Sequence, residues 1–346
     1  MILTRSKHYF TLTLPNAFVT RVDYTLTIGT GSVFAPTELK VIELNKPVPI
    51  RDTSIFQKSW IDISAMIRDY IEVAPIDFTG IAANEIQASG AQECLVATCR
   101  AVYIDTVGSS ASPTLQRFIA ADGYSKYEDN ANAEPSKKIL LTHDFYFADN
   151  RGYFIVPLRC ESGDVAPTVD GVTVSLTYSE DNTRYLQYLV IPVGNYTSDI
   201  TVVFEGETIT ISPVTECKYP LTQIQFVNRF GAKEVFHFYK ASVKTITTKG
   251  ETFKNGYYDG SPYVITKHQN QKLNVYGNEK INIETGFLNE NYNDTIQELM
   301  LSEKVWLNSK PVNVDSSSLK LKTRVVERLI SYSVDFEYAY DSINTV

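Results

Sequence analysis

The sequence predicts a mainly-β protein, with two or three β-sandwich-like domains and one or two short helices. Three observations lead there. Apolar and polar residues alternate with period two along most of the 346 residues, the pattern of strands with one buried face. The chain holds 22 Tyr and 17 Phe among many Val, Ile and Thr, residue types that suit a pleated, half-buried surface. Short apolar runs are separated by Pro, Asn and Gly breakers. The length favours more than one core, and no internal repeat of solenoid or propeller period occurs.

The first segment, residues 1–110, reads as a β domain. "YFTLTL" (Tyr9–Leu14), "VDYTLTIGT" (Val22–Thr30), "ELKVIEL" (Glu38–Leu44) and "SWIDI" are strands. "SAMIRDYIEV" follows as a short helix near 64–72, with Ser64 as the expected N-cap and Ile63, Ile67, Tyr70 and Ile71 on one face. "QECLVATCRAVYID" (Gln92–Asp105) is a long closing strand, and "VGSSASPT" (Val107–Thr114) reads as a linker. Residues 111–215 carry "KKILLTHDFYF", "GYFIVPLRC", "GVTVSLTYS", "TRYLQYLVIPV" and "SDITVVFEGETITISPV". Short strands at that rhythm predict an immunoglobulin-like β-sandwich, without the Cys…Trp…Cys pattern.

Residues 216–346 form the third expected domain, again β, with a helix near 294–304. Phe230-Gly231-Ala232 interrupts two apolar runs as a tight connection, and Lys233–Lys254 is one bent strand or two. At the C-terminus Ile330, Tyr332, Val334, Phe336, Tyr338 and Tyr340 alternate with small or polar residues, a strand of about 36 Å at roughly 3.3 Å per residue. "LNENYNDTIQELMLSEKVWL" (Leu288–Leu307) resembles a calcium loop in its Asn and Asp content. It lacks Gly and Glu at the sixth and twelfth places that such a loop needs. Asp294 with Gln297 makes a capping-box pattern instead, and Tyr292, Ile296, Leu299 and Met300 form one apolar face. The stretch is expected to be a structural helix.

Function classes narrow by elimination. The net charge is −8, from 40 acids and 32 bases, without the basic footprint of direct nucleic-acid binding. Cys94, Cys99, Cys160 and Cys217 have no framework spacing. Cys94 and Cys99 should point to opposite faces of one strand, so all four are expected to be buried thiols suited to a reducing compartment. The N-terminus shows no secretory signal and no stretch approaches a membrane span, which points to synthesis and folding in the cytoplasm. His8, His143, His237 and His268 lack metal-motif spacing and are expected in structural or surface roles. "GTGS" (Gly29–Ser32) reads as a turn rather than a phosphate loop. "YEDN" (Tyr127–Asn130) is the densest acidic candidate and reads as a solvated loop. No catalytic, cofactor-binding or metal-binding residue is singled out, and no cofactor is expected.

Two stretches look like contact surfaces. In "LKLKTR", Lys320, Lys322 and Arg324 share one strand face, either a wet face whose lysines discourage edge pairing or a basic surface for an acidic partner subunit. "YKASVKTITTKGETFK" carries a similar lysine load. "NGYYDGSPY" presents Tyr257, Tyr258 and Tyr263, candidates for a subunit interface or for stacking on a sugar.

Several longer words carry a resemblance. "TECKYPLTQIQFVNRFGAKEVFHFYKAS" (Thr215–Ser242), "RFIAADGYSKYEDN" (Arg117–Asn130), "NEKINIETGFLNENYNDTIQELMLSEKVWL" (Asn278–Leu307) and "PVNVDSSSLKLKTRVVERLISYSVDFEYAYDSINTV" (Pro311–Val346), with "DISAMIRDYIEV" earlier, resemble virion structural proteins of the tail or baseplate region of tailed phages infecting Bacteroidota. In "KYPLT" the proline comes earlier than in that family's pattern. The resemblance implies a building block with no active-site residues to carry over. It implies a ring-forming tail, tail-tip or baseplate subunit, hexameric or related in symmetry, assembled in the host cytoplasm. Its partners would be other copies of itself and neighbouring virion proteins, not a membrane and not nucleic acid directly. A carbohydrate- or receptor-binding module, with a host glycan as its ligand, and a depolymerase are the alternative readings.

Overall fold

The computed structural model describes residues 1–14, 19–48, 58–108, 113–178, 182–215, 218–254, 266, 268–316 and 329–342. The protein is mainly β, with 55% strand and 8% helix. An N-terminal sheet takes the order Ile2–Leu3, Thr114–Ala121, Cys94–Asp105, Val19–Gly31, Pro36–Pro47. A small pair, Tyr9–Thr13 with Lys58–Asp62, covers one of its faces together with the helix Ser64–Arg68. An inner sheet is ordered Tyr153–Arg159, Leu186–Pro192, Glu85–Ala88. An outer sheet runs Val172–Thr173, Thr168–Val169, Ile200–Phe204, Glu207–Val214, Phe145–Asp149. A seven-stranded C-terminal sheet is ordered Lys233–Phe238, Thr222–Val227, Val305–Leu307, Lys310–Val314, Leu329–Tyr338, Asn270–Asn289, Ser242–Lys254.

Strand period explains how these sheets share cores. Along Cys94–Asp105, Leu95, Ala97, Cys99 and Ala101 enter the core beneath the small pair and helix, whereas Cys94 and Val96 enter a second core against the inner sheet. Successive side chains alternate faces, so the two cysteines are separated as expected. Cys94, Cys99 and Cys160 are free and buried, while Cys217 lies outside the described residues. The inner sheet is covered on both faces. Ile155, Tyr188 and Val190 meet the N-terminal sheet, and Phe154, Val156, Leu189 and Ile191 pack with Tyr146, Val202 and Ile211 of the outer sheet. That second contact is the β-sandwich, and its core continues into the C-terminal sheet through Phe226, Phe238, Ile283 and Phe336.

Several expectations need correction. Thr114–Ala121, placed in the second segment, pairs along its whole length with Cys94–Ala101 and completes the N-terminal sheet. Glu85–Ala88 of the first segment instead joins the inner sheet beside Leu186–Pro192. Long-range pairing thus crosses the expected boundary at 110. Ser64 is not the N-cap. Ile63 holds that position, and Ser64 N and Oγ both donate to Asp62 Oδ1 at 3.1 and 2.6 Å. The apolar face is as expected, with Ile63, Ile67 and Ile71 buried. The later helix spans Asn293–Leu301 with Tyr292 as N-cap and no side-chain capping bond; Asp294 lies in its first turn. Among the described residues of "GVTVSLTYS", only Val172–Thr173 are strand. The C-terminal strand is Leu329–Tyr338, with Tyr332, Val334, Phe336 and Tyr338 buried and Tyr340 exposed beyond it.

Candidate functional site

Three of the resemblance-bearing words meet in space. The hairpin between Thr222–Val227 and Lys233–Phe238 turns through Asn228–Ala232. Asn228 builds that turn: its Oδ1 accepts from Phe230 N and Ala232 N at 3.0 and 3.2 Å, and its Nδ2 donates to Leu140 O and Glu234 Oε2 at 2.8 and 3.0 Å. Gly231 sits at φ +77°, and a Cβ there would lie 2.7 Å from Gly123 N. A Cβ on Gly123 would in turn lie 2.5 Å from Arg229 O. Two backbones therefore touch where only glycine fits, and Tyr124 N donates to Arg229 O at 2.7 Å. The words 117–130 and 215–242 are joined there.

All six residues of Lys233–Phe238 are buried, although three are titratable. Alternation sends Lys233 and Glu234 to opposite faces. On one side Lys233 Nζ lies 2.9 Å from Glu93 Oε2, donates to Ala74 O at 3.1 Å and sits over the Tyr188 ring. The Tyr188 hydroxyl donates to Glu93 Oε1. On the other side, burial first and the Glu298 charge second push the Glu234 carboxyl up to about 8. Glu298, raised for the same first reason, comes from the Asn293–Leu301 helix. Its Oε1 accepts from Thr142 Oγ1 at 2.5 Å and its Oε2 from Arg229 N at 3.3 Å. His237 is held neutral, lowered to about 4 by burial, and its Nδ1 accepts from Asp149 N at 2.9 Å.

Two surface hollows adjoin these groups. One, of about 420 Å³, is lined by Tyr124–Glu128, Asp294, Gln297, Glu298 and Leu301; the other, of about 530 Å³, reaches Glu93 and Lys233 beside Glu72–Asp77. Two converging acids invite comparison with a general acid and base pair. Retaining or inverting hydrolysis needs both carboxyls to flank open space; of Glu234 and Glu298 only Glu298 lines the hollow, beside Glu128 and Asp294, and both its oxygens already accept bonds. Lys233 likewise donates to two partners rather than presenting a bare amine. Among the described residues, no group of three His, Cys, Asp or Glu side chains is placed to hold a metal. These bonds and ion pairs tie the hairpin to the segments around it. A charge ring of Arg5, Arg68, Asp122, Glu303 and Lys304 extends this set, with Arg68 on both Asp122 and Glu303. Gln225 locks the N-terminal segment by giving and taking bonds with Ile76 O and N at 2.9 and 2.8 Å.

A second candidate surface lies beyond the body. Every residue of Ser242–Lys254 is exposed. It pairs with 270–283, and among the described residues no third strand joins them beyond Lys280. The result is a two-stranded ribbon about 33 Å long over ten residues. Val243 and Ile246 are each 63% exposed and Leu273 51%. Opposed residues share a face, so the register puts Tyr276, Leu273 and Phe253 together on the face of Lys249 and Glu251. The lysine load expected in "YKASVKTITTKGETFK" stands on this ribbon. Lys320, Lys322, Arg324, Tyr257, Tyr258 and Tyr263 lie outside the described residues. The sequence reading missed Glu93, Lys233, Glu234 and Glu298 as a set, since each sits alone in an apolar pattern; a charge inside a near-continuous apolar run such as "KEVFHF" was the available signal.

Among the described residues no helix is long and apolar enough to cross a membrane. No protein-family profile matches the chain, and no curated protein matches it.

Proposed function

We propose that this chain is a non-enzymatic structural subunit of a tailed-phage virion, placed in a ring of the tail, tail tip or baseplate. The observation that carries the reading is the ribbon. A two-stranded hairpin without a covering face is marginal on its own in water, yet among the described residues this one exposes apolar side chains on a long extension from a braced body. Such extensions are suited to joining subunits, through strand edges and apolar faces. Further support comes from the words resembling tail and baseplate proteins, three of which form the braced junction, and from acids and a lysine that are tied to partners there. Quantitative mass spectrometry of purified particles tests the reading. The expected result is this chain at a copy number divisible by six or three. A chain absent from particles and monomeric in solution overturns it.

A further inference from the structure

The two faces of the ribbon differ in character. Directly opposed residues share a face, and every second residue along a strand returns to it. On one face Lys249 lies opposite Tyr276, Glu251 opposite Leu273 and Phe253 opposite Gln271, three successive rows toward the tip. Thr247 opposite Asn278 is the next row toward the body. Phe253, Leu273 and Tyr276 are 37, 51 and 40% exposed. On the other face, at the same level, Thr252 lies opposite Lys272 and Lys254 opposite Asn270.

Charge decides which face can meet its own copy. The second face holds two lysines at this level and no acid, so two copies of it repel. The first holds one exposed lysine and one exposed acid, Lys249 and Glu251. Among the described residues neither is in an ion pair. Lys280, nearer the body, is by contrast held by Asp315 and Glu337 at 2.6 and 3.2 Å.

The register makes the first face self-complementary. Two ribbons stack about 10 Å apart, and rows on one face repeat roughly every 7 Å. A two-fold axis between the ribbons, across the strands and midway between the Lys249 and Glu251 rows, runs them antiparallel. Lys249 of each copy then faces Glu251 of the other, and Tyr276 of each faces Leu273 of the other. Phe253 of each lies on Thr247 of the other. Opposite charges meet twice, and no like charges meet in these rows.

We infer that this face of the ribbon is a two-fold contact with a second copy of the chain, antiparallel and centred between Lys249 and Glu251. The contact is isologous and closes as a pair. It rests on the subunit reading and adds that subunits are joined two by two. A face two strands wide belongs to the small, weak class of interface, so the reciprocal ion pairs set its register.

Sedimentation velocity of the full chain tests this. A dimer is expected at about 50 mM NaCl and weakens at least about tenfold by about 500 mM, where screening shortens the reach of charge to a few ångström. Lys249→Glu sets acid against acid at both pairs, and Glu251→Lys sets lysine against lysine. Each is expected to weaken the dimer at least about tenfold. An equimolar mixture of the two variants is expected to pair. Lys249→Glu with Glu251→Lys in one chain, which keeps the net charge, is expected to restore the dimer. An unmodified chain that stays monomeric at low salt overturns the inference. So does a dimer indifferent to the single reversals, or a mixture or double reversal that stays monomeric. If the chain is present in particles without this dimer, only the ribbon contact falls; absence from particles removes the subunit reading itself. Circular dichroism checks that each variant folds, and where a single variant does not, the double reversal and the salt series on the unmodified chain decide.

Discussion

Lys233–Phe238 and Ser242–Lys254 are separated by three residues and belong to one sheet, yet the first is buried at every position and the second exposed at every position. The first strand has a core on each face and closes its polar groups inside: Lys233 on Glu93, Glu234 on Asn228, His237 on Asp149. Among the described residues the second is exposed on both faces and has a single partner strand for most of its length. Strand conformation is common to both, so it is the surroundings that decide whether a residue there supports the fold or is free to serve another molecule. Interior charges are expensive to uncouple; ribbon charges cost the fold almost nothing and are available to a partner.

Substitution of the two lysine types breaks this comparison most directly. Lys233→Ala leaves Glu93 buried without its cation and is expected to cost about 3–5 kcal/mol in urea unfolding. Next comes the acid pair. The folded carboxyl of Glu234 titrates near 8, above its unfolded value, so the folded state keeps a proton that the unfolded state loses above about pH 4.5. The stability this proton contributes is full below that pH and is lost as pH rises toward 8. Glu234→Gln is therefore expected to flatten that decline and to be the more stable form at pH 8 by roughly 2–4 kcal/mol, read from melts across the range. An unchanged slope would show that the pair titrates elsewhere.

Gly231→Ala tests the hinge of the junction. It places a Cβ against Gly123 N at a positive φ, with an expected cost of about 2–3 kcal/mol; a neutral effect would mean that the two backbones are free to part. The smallest effect belongs to the ribbon. Lys249→Ala is expected to change stability by less than about 0.5 kcal/mol. Hydrogen exchange sharpens the contrast: amides of Lys233–Phe238 should exchange only with global unfolding, and those of Thr245–Lys254 far sooner in the isolated chain. Protection of the ribbon in the assembled form and not in the monomer would mark it as the joining surface.

Much of the fold could be read in advance where the signal is local. Period-two runs located most strands, the turn at Phe230-Gly231-Ala232 was visible from its glycine, and Ile63, Ile67 and Ile71 marked a helical face. Capping was misread at Ser64 and Asp294 because the helices open one and two positions earlier, at Ile63 and Tyr292, with Asp62 accepting from Ser64. The domain boundary at 110 failed for another reason. Thr114–Ala121 follows a Gly- and Ser-rich stretch, and nothing local says that it turns back onto Cys94–Ala101.

What the sequence determined by itself was strand class, face alternation and the separation of Cys94 from Cys99, because all of these follow from residue type and spacing. Only the tertiary structure decided which strands share a sheet, that Lys233 finds Glu93 and that Glu234 approaches Glu298. Those pairings join residues 140 and 64 positions apart, and they depend on which apolar faces bury each other. Burial is a property of the whole chain, and no window of neighbouring residues contains it.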